Sequence, residues 1–451
     1  MANITEPRTL SGFMELLPDR QVIFNKIRRK LEDIYSLYGF YPLDTPVLEY
    51  SEVLLAKAGG ETEKQIYRFN KGDTDLSMRF DLTVPLAKYV AKNAGELTFP
   101  FKRYQIGKVY RGERAQKGRF REFYQSDIDI IGDGELSLVN DAEIPGIIYR
   151  IFTELGITDF TIRVNNRKVL GGLFGLFGLG GNEAEVLRII DKIEKIGGEA
   201  VKEELSTLGI DMKAAEELLE LLTRKCTSRE TIETLRGMSG KSELLDEGVN
   251  ELAIVTEYLT GFGVPEKNFR IDLTIARGLD YYTGTVYETM INSHPEIGSV
   301  CSGGRYENLA GFYTNRKLPG VGISIGLTRL FYVLNENGWL SEDRKYPSEV
   351  LVIPMGDDFS RAIEVSEFLR GQGISSQIYY EKKKFKARIG YADKLSIPFC
   401  IFIGEDEIKE GNVSLKNMTD GVQEKYSLED CANVIKKVLA DDNARSLVKS
   451  L

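Results

Sequence analysis

A chain of 451 residues with 42% hydrophobic content is long enough for roughly three domains and apolar enough to build true cores. Its formal net charge of −9 excludes indiscriminate nucleic-acid binding, which needs a broadly cationic surface, and leaves any specific RNA partner to local basic clusters. A single histidine, His294 in a polar loop, and four cysteines without C-x-x-C spacing (Cys226, Cys301, Cys400, Cys431) exclude most histidine-based triads, zinc sites and disulfide frameworks. Any chemistry therefore rests on Arg, Asp, Glu and backbone groups. No apolar run reaches the length of a membrane span, and the N-terminus lacks the order of a signal peptide, so a cytoplasmic location away from membranes is expected.

Residues 19–38 carry Ile23, Ile27, Leu31, Ile34 and Tyr38 at helical spacing, with Pro18-Asp19 at the start and Gly39 at the end. The following Tyr41–Pro46 runs extended, because each proline biases its predecessor away from helix. The block Arg79-Phe80-Asp81-Leu82-Thr83-Val84-Pro85 leads into an amphipathic helix over Leu86–Ala91.

Residues 101–132 read as a strand (Phe101–Glu113), a basic loop (114–119) and a returning strand (Phe120–Gly132). On the return, Arg121, Phe123, Gln125, Asp127 and Asp129 share one face; Arg111 and Glu113 share a face on the way out. Such a surface is either the solvated side of an antiparallel sheet or the floor of a polar pocket. Phe123 amid the charges, placed to stack on a planar base, favours the pocket.

Residues 167–255 turn helical, with segments around 184–195, 200–208, 212–225 and 230–247, and a further one over 251–262. The Gly-rich run before them (169–181) lacks the Gly-Lys-Ser/Thr ending of a phosphate loop and reads as a packing or flexible connection. Phe269, Ile271, Leu273 and Ile275 then alternate as a half-buried strand that enters Ala276–Glu288, a glycine-bearing turn and strand. Arg277 at that junction is either a surface residue or a cation aimed into a pocket. Residues 318–338 form a Gly-spaced strand running into a helix with Arg329 in its first turn, a good polyphosphate seat. From about Tyr346, strands near 350–354, 376–380 and 399–403 alternate with helices near 359–371 and 384–395, implying a small α/β domain with a largely parallel sheet. A hairpin around 412–416 and a final helix from Leu428 complete it. Its Lys382–Lys384, Lys386 and Arg388 cluster suits either an RNA backbone or a solvated helix face.

ARGLDYYTGTVYE (276–288) closely resembles the histidine-specific signature of histidyl-tRNA synthetases, and CSGGRYENLAG (301–311) resembles its companion. The helix and extended segment up to Pro46 resemble motif 1 of class II aminoacyl-tRNA synthetases, RGERAQKGRFR (111–121) with its strands motif 2, and 318–338 motif 3. RFDLTVP (79–85) resembles the segment that binds the α-amino group, with Asp81 where many relatives carry Glu. The resemblance implies an α+β catalytic domain with an antiparallel sheet over 1–166 and 256–335. It further implies a helical insertion over 167–255, a linker over 336–345 and a C-terminal α/β anticodon-binding domain over 346–451. The implied activity joins L-histidine to ATP, with Mg²⁺ on the phosphates, and passes the histidyl group to tRNA(His); a homodimer is implied by motif 1.

Carried over by motif, Arg111 and Arg277 flank the α-phosphate and the histidine carboxylate. Glu113 and Phe123 take the adenine, and Arg121 and Arg329 the β- and γ-phosphates. Asp81, Thr83 and Gln125 receive the α-ammonium, and Asp129, Tyr282 and Tyr306 the imidazole. Gln116 and Lys117 would meet the acceptor end of the tRNA, and Lys384 and Arg388 its anticodon side. The motifs name no protein ligand for the Mg²⁺. Two rivals share the fold: a histidine-sensing regulatory subunit of ATP phosphoribosyltransferase and a class II synthetase for another amino acid. The retained arginines and the long C-terminal continuation oppose the first; the tyrosine-rich signature and lack of zinc ligands oppose the second.

Overall fold

Alternation of apolar and polar residues predicts a long hairpin, and that hairpin is the spine of the first of two units. The structure, a computed structural model, describes residues 4–56, 61–114, 118–190, 192–275, 281–341, 346–443 and 447–448. One unit draws on residues 1–14 and 30–337, the other on residues 15–29 and 338–451.

In the first unit the strands are β1 (Tyr41–Pro42), β2 (Leu48–Tyr50), β3 (Arg68–Lys71), β4 (Thr74–Met78), β5 (Phe101–Tyr110) and β6 (Glu122–Ile131). They continue with β7 (Phe160–Asn166), β8 (Phe269–Ile271), β9 (Thr285–Ile291), β10 (Cys301–Tyr306) and β11 (Gly320–Ile325). Eight of them form one sheet in the order β1-β5-β6-β11-β10-β9-β7-β8, and β2-β4-β3 form a small second one. The large sheet is antiparallel from β5 to β7, with parallel pairing only at its two edges.

The back of this sheet is closed by the helix Val139–Leu155, whose Ile144, Ile147, Ile148, Ile151 and Phe152 are fully buried. Each such side chain contributes about 1.5–3 kcal/mol of apolar burial. Two polar ties fix the helix to the sheet. Arg305 on β10 donates from Nε to Asp141 Oδ1 at 3.0 Å and from Nη2 to Asp141 Oδ2 at 2.6 Å, and the Tyr287 hydroxyl donates to the Asp141 carbonyl at 2.6 Å. The first helix, Pro18–Leu37, ends before Gly39 at φ +76°, and its Tyr35 shares a 2.7 Å hydrogen bond with Ser126 on the back of β6.

The 167–262 region is helical, and the Gly-rich run inside it serves close packing. In the helices Arg167–Leu176 and Glu243–Gly261, a Cβ at Gly172 would lie 2.6 Å from Leu245 N, and one at Gly248 2.6 Å from Val169 N. The expected helices 230–247 and 251–262 are instead Ser228–Arg236 and Glu243–Gly261. The break falls earlier because Gly240 takes φ +79° and Ser242 caps the second helix, accepting from Leu245 N at 3.3 Å.

In the second unit, β12 (Val350–Pro354) lies parallel to β13 (Ser376–Ile378) and β14 (Phe399–Ile403). The hairpin β15 (Val413–Asn417) and β16 (Gln423–Tyr426) adds antiparallel strands, giving the order β13-β12-β14-β15-β16. The sheet is thus mixed rather than largely parallel. Helices Ser360–Gly371, Phe385–Lys394 and Leu428–Asn443 accompany it, and Val352, Ile401, Val365 and Ile435 meet in one core cluster.

Candidate active site

The sheet's exposed side becomes a site because two of its central positions are glycine. Gly320 and Gly322 lie on β11, between β6 and β10, and Gly322 pairs with Asp129 on one side and Gly304 on the other. A Cβ at Gly322 would sit 2.2 Å from Asp129 Oδ1, and one at Gly320 2.5 Å from the Tyr306 ring. The bare backbone lets Tyr306 reach over β11, and its hydroxyl donates to Asp129 Oδ1 at 2.8 Å. Asp129 Oδ2 lies 2.7 Å from Nη2 of Arg103, a fully buried arginine on β5. Tyr306 also stacks edge-on to Tyr281, which does the same to Tyr282.

A cavity of about 700 Å³ opens over this face. Asp129, Tyr282 and Tyr306 form one part of its wall, and Asp81, Thr83 and Gln125 another. Arg111, Glu113, Phe123 and Arg329 line it as well. Arg111 donates from Nε to the Phe80 carbonyl at 3.0 Å, and its guanidinium lies 5.1 Å from the centre of the Phe123 ring. Arg329 sits in the first turn of the helix Leu327–Glu336 and donates to the Ser299 carbonyl at 3.1 Å and to that of Ile297. These bonds hold it against the 297–299 loop.

Asp81 Oδ1 accepts from Val84 N at 3.0 Å at the start of the helix Thr83–Asn93, which begins earlier than the periodicity predicts because this carboxylate helps to cap it. Burial pushes the Asp81 carboxyl up to about 6, against the pull of that bond and of Arg111 and Arg103. Asp129 is likewise raised by burial, with Arg103 and Tyr306 opposing.

Arg121 departs from expectation. It is absent from the cavity wall: its Nε donates to the Glu113 carbonyl at 3.0 Å and its stem packs under Gly12, whose Cβ would lie 2.9 Å from Arg121 Cγ. It braces the loop that carries Glu113. In the second unit, Lys384 is exposed at the start of the helix Phe385–Lys394, whereas Arg388 is tied to the Lys383 carbonyl at 2.8 Å and the Pro354 carbonyl at 2.5 Å. Arg277, Gln116 and Lys117 lie outside the described residues. His294 Nδ1 is 3.0 Å from Glu296 Oε1 on a half-buried loop.

Two participants escaped the sequence reading of the site. Arg103 is missed by one residue of register: counting back from Glu113 and Phe120 across the 114–119 loop sets it opposite Ile130, whereas the structure pairs it with Asp129. Asp127 shares the cavity face of β6 and is only 1% exposed; alternation placed it there without giving it a task.

A histidyl-tRNA synthetase family model matches residues 12–330, and an anticodon-binding-domain model matches 349–438. The chain is 57% identical over 439 residues to a histidine–tRNA ligase of Clostridium tetani, covering 96% of this chain and 99% of that one. It is 46% identical over 431 residues to that of Finegoldia magna, covering 96% and 100%. Among solved structures, a histidyl-tRNA synthetase from Nostoc sp. PCC 7120 superposes with a TM-score of 0.89 at 40% identity, covering 96% of this chain and all of that one. With its antiparallel catalytic sheet, its tyrosine-lined cavity and matches over nearly its whole length, the chain belongs to the histidyl-tRNA synthetase family.

Proposed function

We propose that the cavity over β6, β10 and β11 is where the carboxylate of L-histidine meets the α-phosphate of ATP. The chain charges tRNA(His) with histidine, using ATP. In the first step a histidine carboxylate oxygen attacks the α-phosphorus, the bond to the β-phosphate oxygen breaks, and pyrophosphate leaves. The carboxylate is already ionised at neutral pH, so the protein supplies alignment and positive charge rather than a base. In the second step the 3′-terminal hydroxyl of the tRNA attacks the carbonyl and AMP departs.

Arg111, at the cavity edge beside Phe123, would hold the carboxylate and α-phosphate, with Arg277 opposite. Phe123 and Glu113 would take the ring and edge of the adenine. Arg329 at its helix N-terminus would steady the outer phosphates, and Arg121 would act through the Glu113 loop it braces. ATP would enter as its magnesium complex, the ion riding on phosphate oxygens and water. Asp81, Thr83 and Gln125 would receive the α-ammonium.

The observation that carries the histidine assignment is the Arg103–Asp129–Tyr306 chain, which sets a fixed carboxylate and phenol in the cavity wall. Imidazole offers one N–H and one lone pair, and a site that pairs both rejects side chains that cannot. The test is ATP–pyrophosphate exchange with each of the twenty amino acids. Stimulation by histidine alone is expected; silence, or stimulation by another amino acid, would overturn the assignment.

The same proposal divides the chain into a catalytic region (1–166 and 256–335), a helical insertion (167–255), a linker (336–345) and an anticodon-binding domain (346–451). It includes a homodimer, supported by the exposed Leu37, Tyr41, Leu48 and Tyr50 along and after the first helix, apolar surface that a second copy would cover. It places the protein in the cytoplasm, in keeping with free thiols at its cysteines. No helix among the described residues is long and apolar enough to cross a membrane.

A further inference from the structure

The mouth of the β5–β6 hairpin is held from outside the hairpin. Past the last strand pair, Arg111 N still bonds the Arg121 carbonyl at 2.9 Å, and the two arms then take separate partners. On one arm Gly112 N donates to the Gln65 carbonyl at 2.7 Å. On the other, the Gly12 carbonyl accepts from Arg121 N at 2.7 Å and from Glu122 N at 3.3 Å. The turn around Gly12 presents that carbonyl. Phe13 N donates to the Leu10 carbonyl at 3.0 Å, closing a four-residue turn whose third position takes φ +83°, where glycine is favoured.

The same glycine governs a side chain. The Arg121 stem lies so close that a Cβ on residue 12 would be 2.9 Å from its Cγ and 3.2 Å from its Cβ and Cδ, nearer than packed carbons approach. Seated there, Arg121 donates from Nε to the Glu113 carbonyl at 3.0 Å, and its Nη1 lies 3.5 Å from the Ser11 carbonyl. Glu113 lines the cavity, and its Oε2 is 3.7 Å from Arg119 Nη1, beyond hydrogen-bond reach. The aim of the carboxylate is therefore set by the backbone that carries it, and Arg121 holds that backbone.

We propose that Gly12 is a positioning residue for the nucleotide: its turn seats Arg121, Arg121 holds the Glu113 backbone, and the Glu113 carboxylate is thereby aimed at the 6-amino group of the adenine. An ionised carboxylate only accepts hydrogen bonds, and the 6-amino group is the donor that adenine presents beside its ring acceptors. A 6-oxo purine would set oxygen against oxygen. The N-terminal turn, a hundred residues before Glu113, thus takes part in the choice of base.

This rests on the placing of Glu113 at the adenine edge, and the test separates the two. Gly12→Ala, Arg121→Ala and Glu113→Ala are compared with wild type in pyrophosphate exchange, for the KM of ATP and of histidine and for inhibition by purine riboside 5′-triphosphate, which lacks the 6-amino group. Glu113→Ala should raise the ATP KM by ~10–100-fold, the loss of one hydrogen bond to a charged group, and Gly12→Ala by ~5–20-fold, a part of that loss. The Ki of the purine riboside triphosphate and the histidine KM should stay within about twofold in both. Arg121→Ala removes the brace but leaves the turn alone; it should show the same selectivity, and adding Gly12→Ala to it should cost nothing more. Equal weakening of the two nucleotides by Gly12→Ala or Arg121→Ala, an unchanged ATP KM, or additive effects in the double variant would overturn the proposal. A Glu113→Ala variant that still prefers ATP as wild type does would overturn the placing of Glu113, and the proposal with it.

Discussion

Replacing Arg103 by methionine would expose how the site's charges are balanced. Arg103 is fully buried, and its Nη2 lies 2.7 Å from Asp129 Oδ2 and 3.1 Å from the Leu82 carbonyl. Asp81, Asp127 and Asp129 are all buried near it, and Arg103 pulls the ionisation of each downward. Methionine keeps much of the stem's packing and removes the charge. Breaking a buried pair by deleting one partner costs about 3–5 kcal/mol, whereas replacing both partners by neutral groups is often close to neutral. Arg103→Met should therefore destabilise the first unit by about that amount at pH 7.5, and Arg103→Met with Asp129→Asn should recover most of it. The sign of the pH effect is fixed. Burial raises these carboxyls above their unfolded values, to about 6 for Asp81 and about 7 for Asp127, so the stability each contributes is fully present below the unfolded pKa and is lost as pH rises through the folded one. Without Arg103 the folded values rise further, and the variant's deficit should shrink as pH falls from 7.5 to 5. The single tryptophan, Trp339, belongs to the second unit, so calorimetry and far-ultraviolet circular dichroism follow the first. A single variant as stable as wild type, or no more unstable than the double variant, would refute this account of the site.

Gly322→Ala should lower stability by ~1–3 kcal/mol and raise the histidine KM, because its Cβ would meet Asp129 Oδ1 at 2.2 Å and the Ile128 carbonyl at 2.4 Å; Gly356→Ala, with open space around it, is the control. Unchanged melting and KM would count against the glycine gap. Phe123→Ala should raise the KM for ATP by ~5–100-fold, the value of one stacked base, with melting and the histidine KM little altered; an unaltered ATP KM would remove Phe123 from the adenine site. Changing Lys382, Lys383, Lys384 and Lys386 together to Ala should raise the KM for tRNA and flatten its salt dependence without affecting pyrophosphate exchange. Arg388→Ala should instead lower the melting temperature of the second unit, since that guanidinium ties the Pro354 and Lys383 carbonyls; the reverse pattern would reassign both.

Local periodicity made the strand faces legible. Phe123, Gln125, Asp127 and Asp129 could be set on one side of β6 because alternation is a property of the backbone alone. The turn between β5 and β6 falls one residue out when read this way, because its ends are polar on both strands, and the Arg103–Asp129 pair is lost with the register. What alternation could not supply was the order of distant strands. β11 inserts between β6 and β10 although it follows both in the chain. Only that insertion explains why Gly320 and Gly322 must lack side chains, or how Tyr306 finds Asp129. Arg121 fails for a related reason: at the mouth of the hairpin the alternation gives way to the contacts of a loop, and Gly12, far back in the sequence, decides where the arginine packs. Charge was misjudged in the same way. Each acidic residue of β6 read as one member of a polar face, yet what governs the site is how many carboxylates share one buried guanidinium, a sum over β5, β6 and the segment before the helix Thr83–Asn93. That sum sets one fully buried guanidinium, Arg103, against the carboxyls of Asp81, Asp127 and Asp129, so the loss of a single side chain on β5 is felt by all three at once.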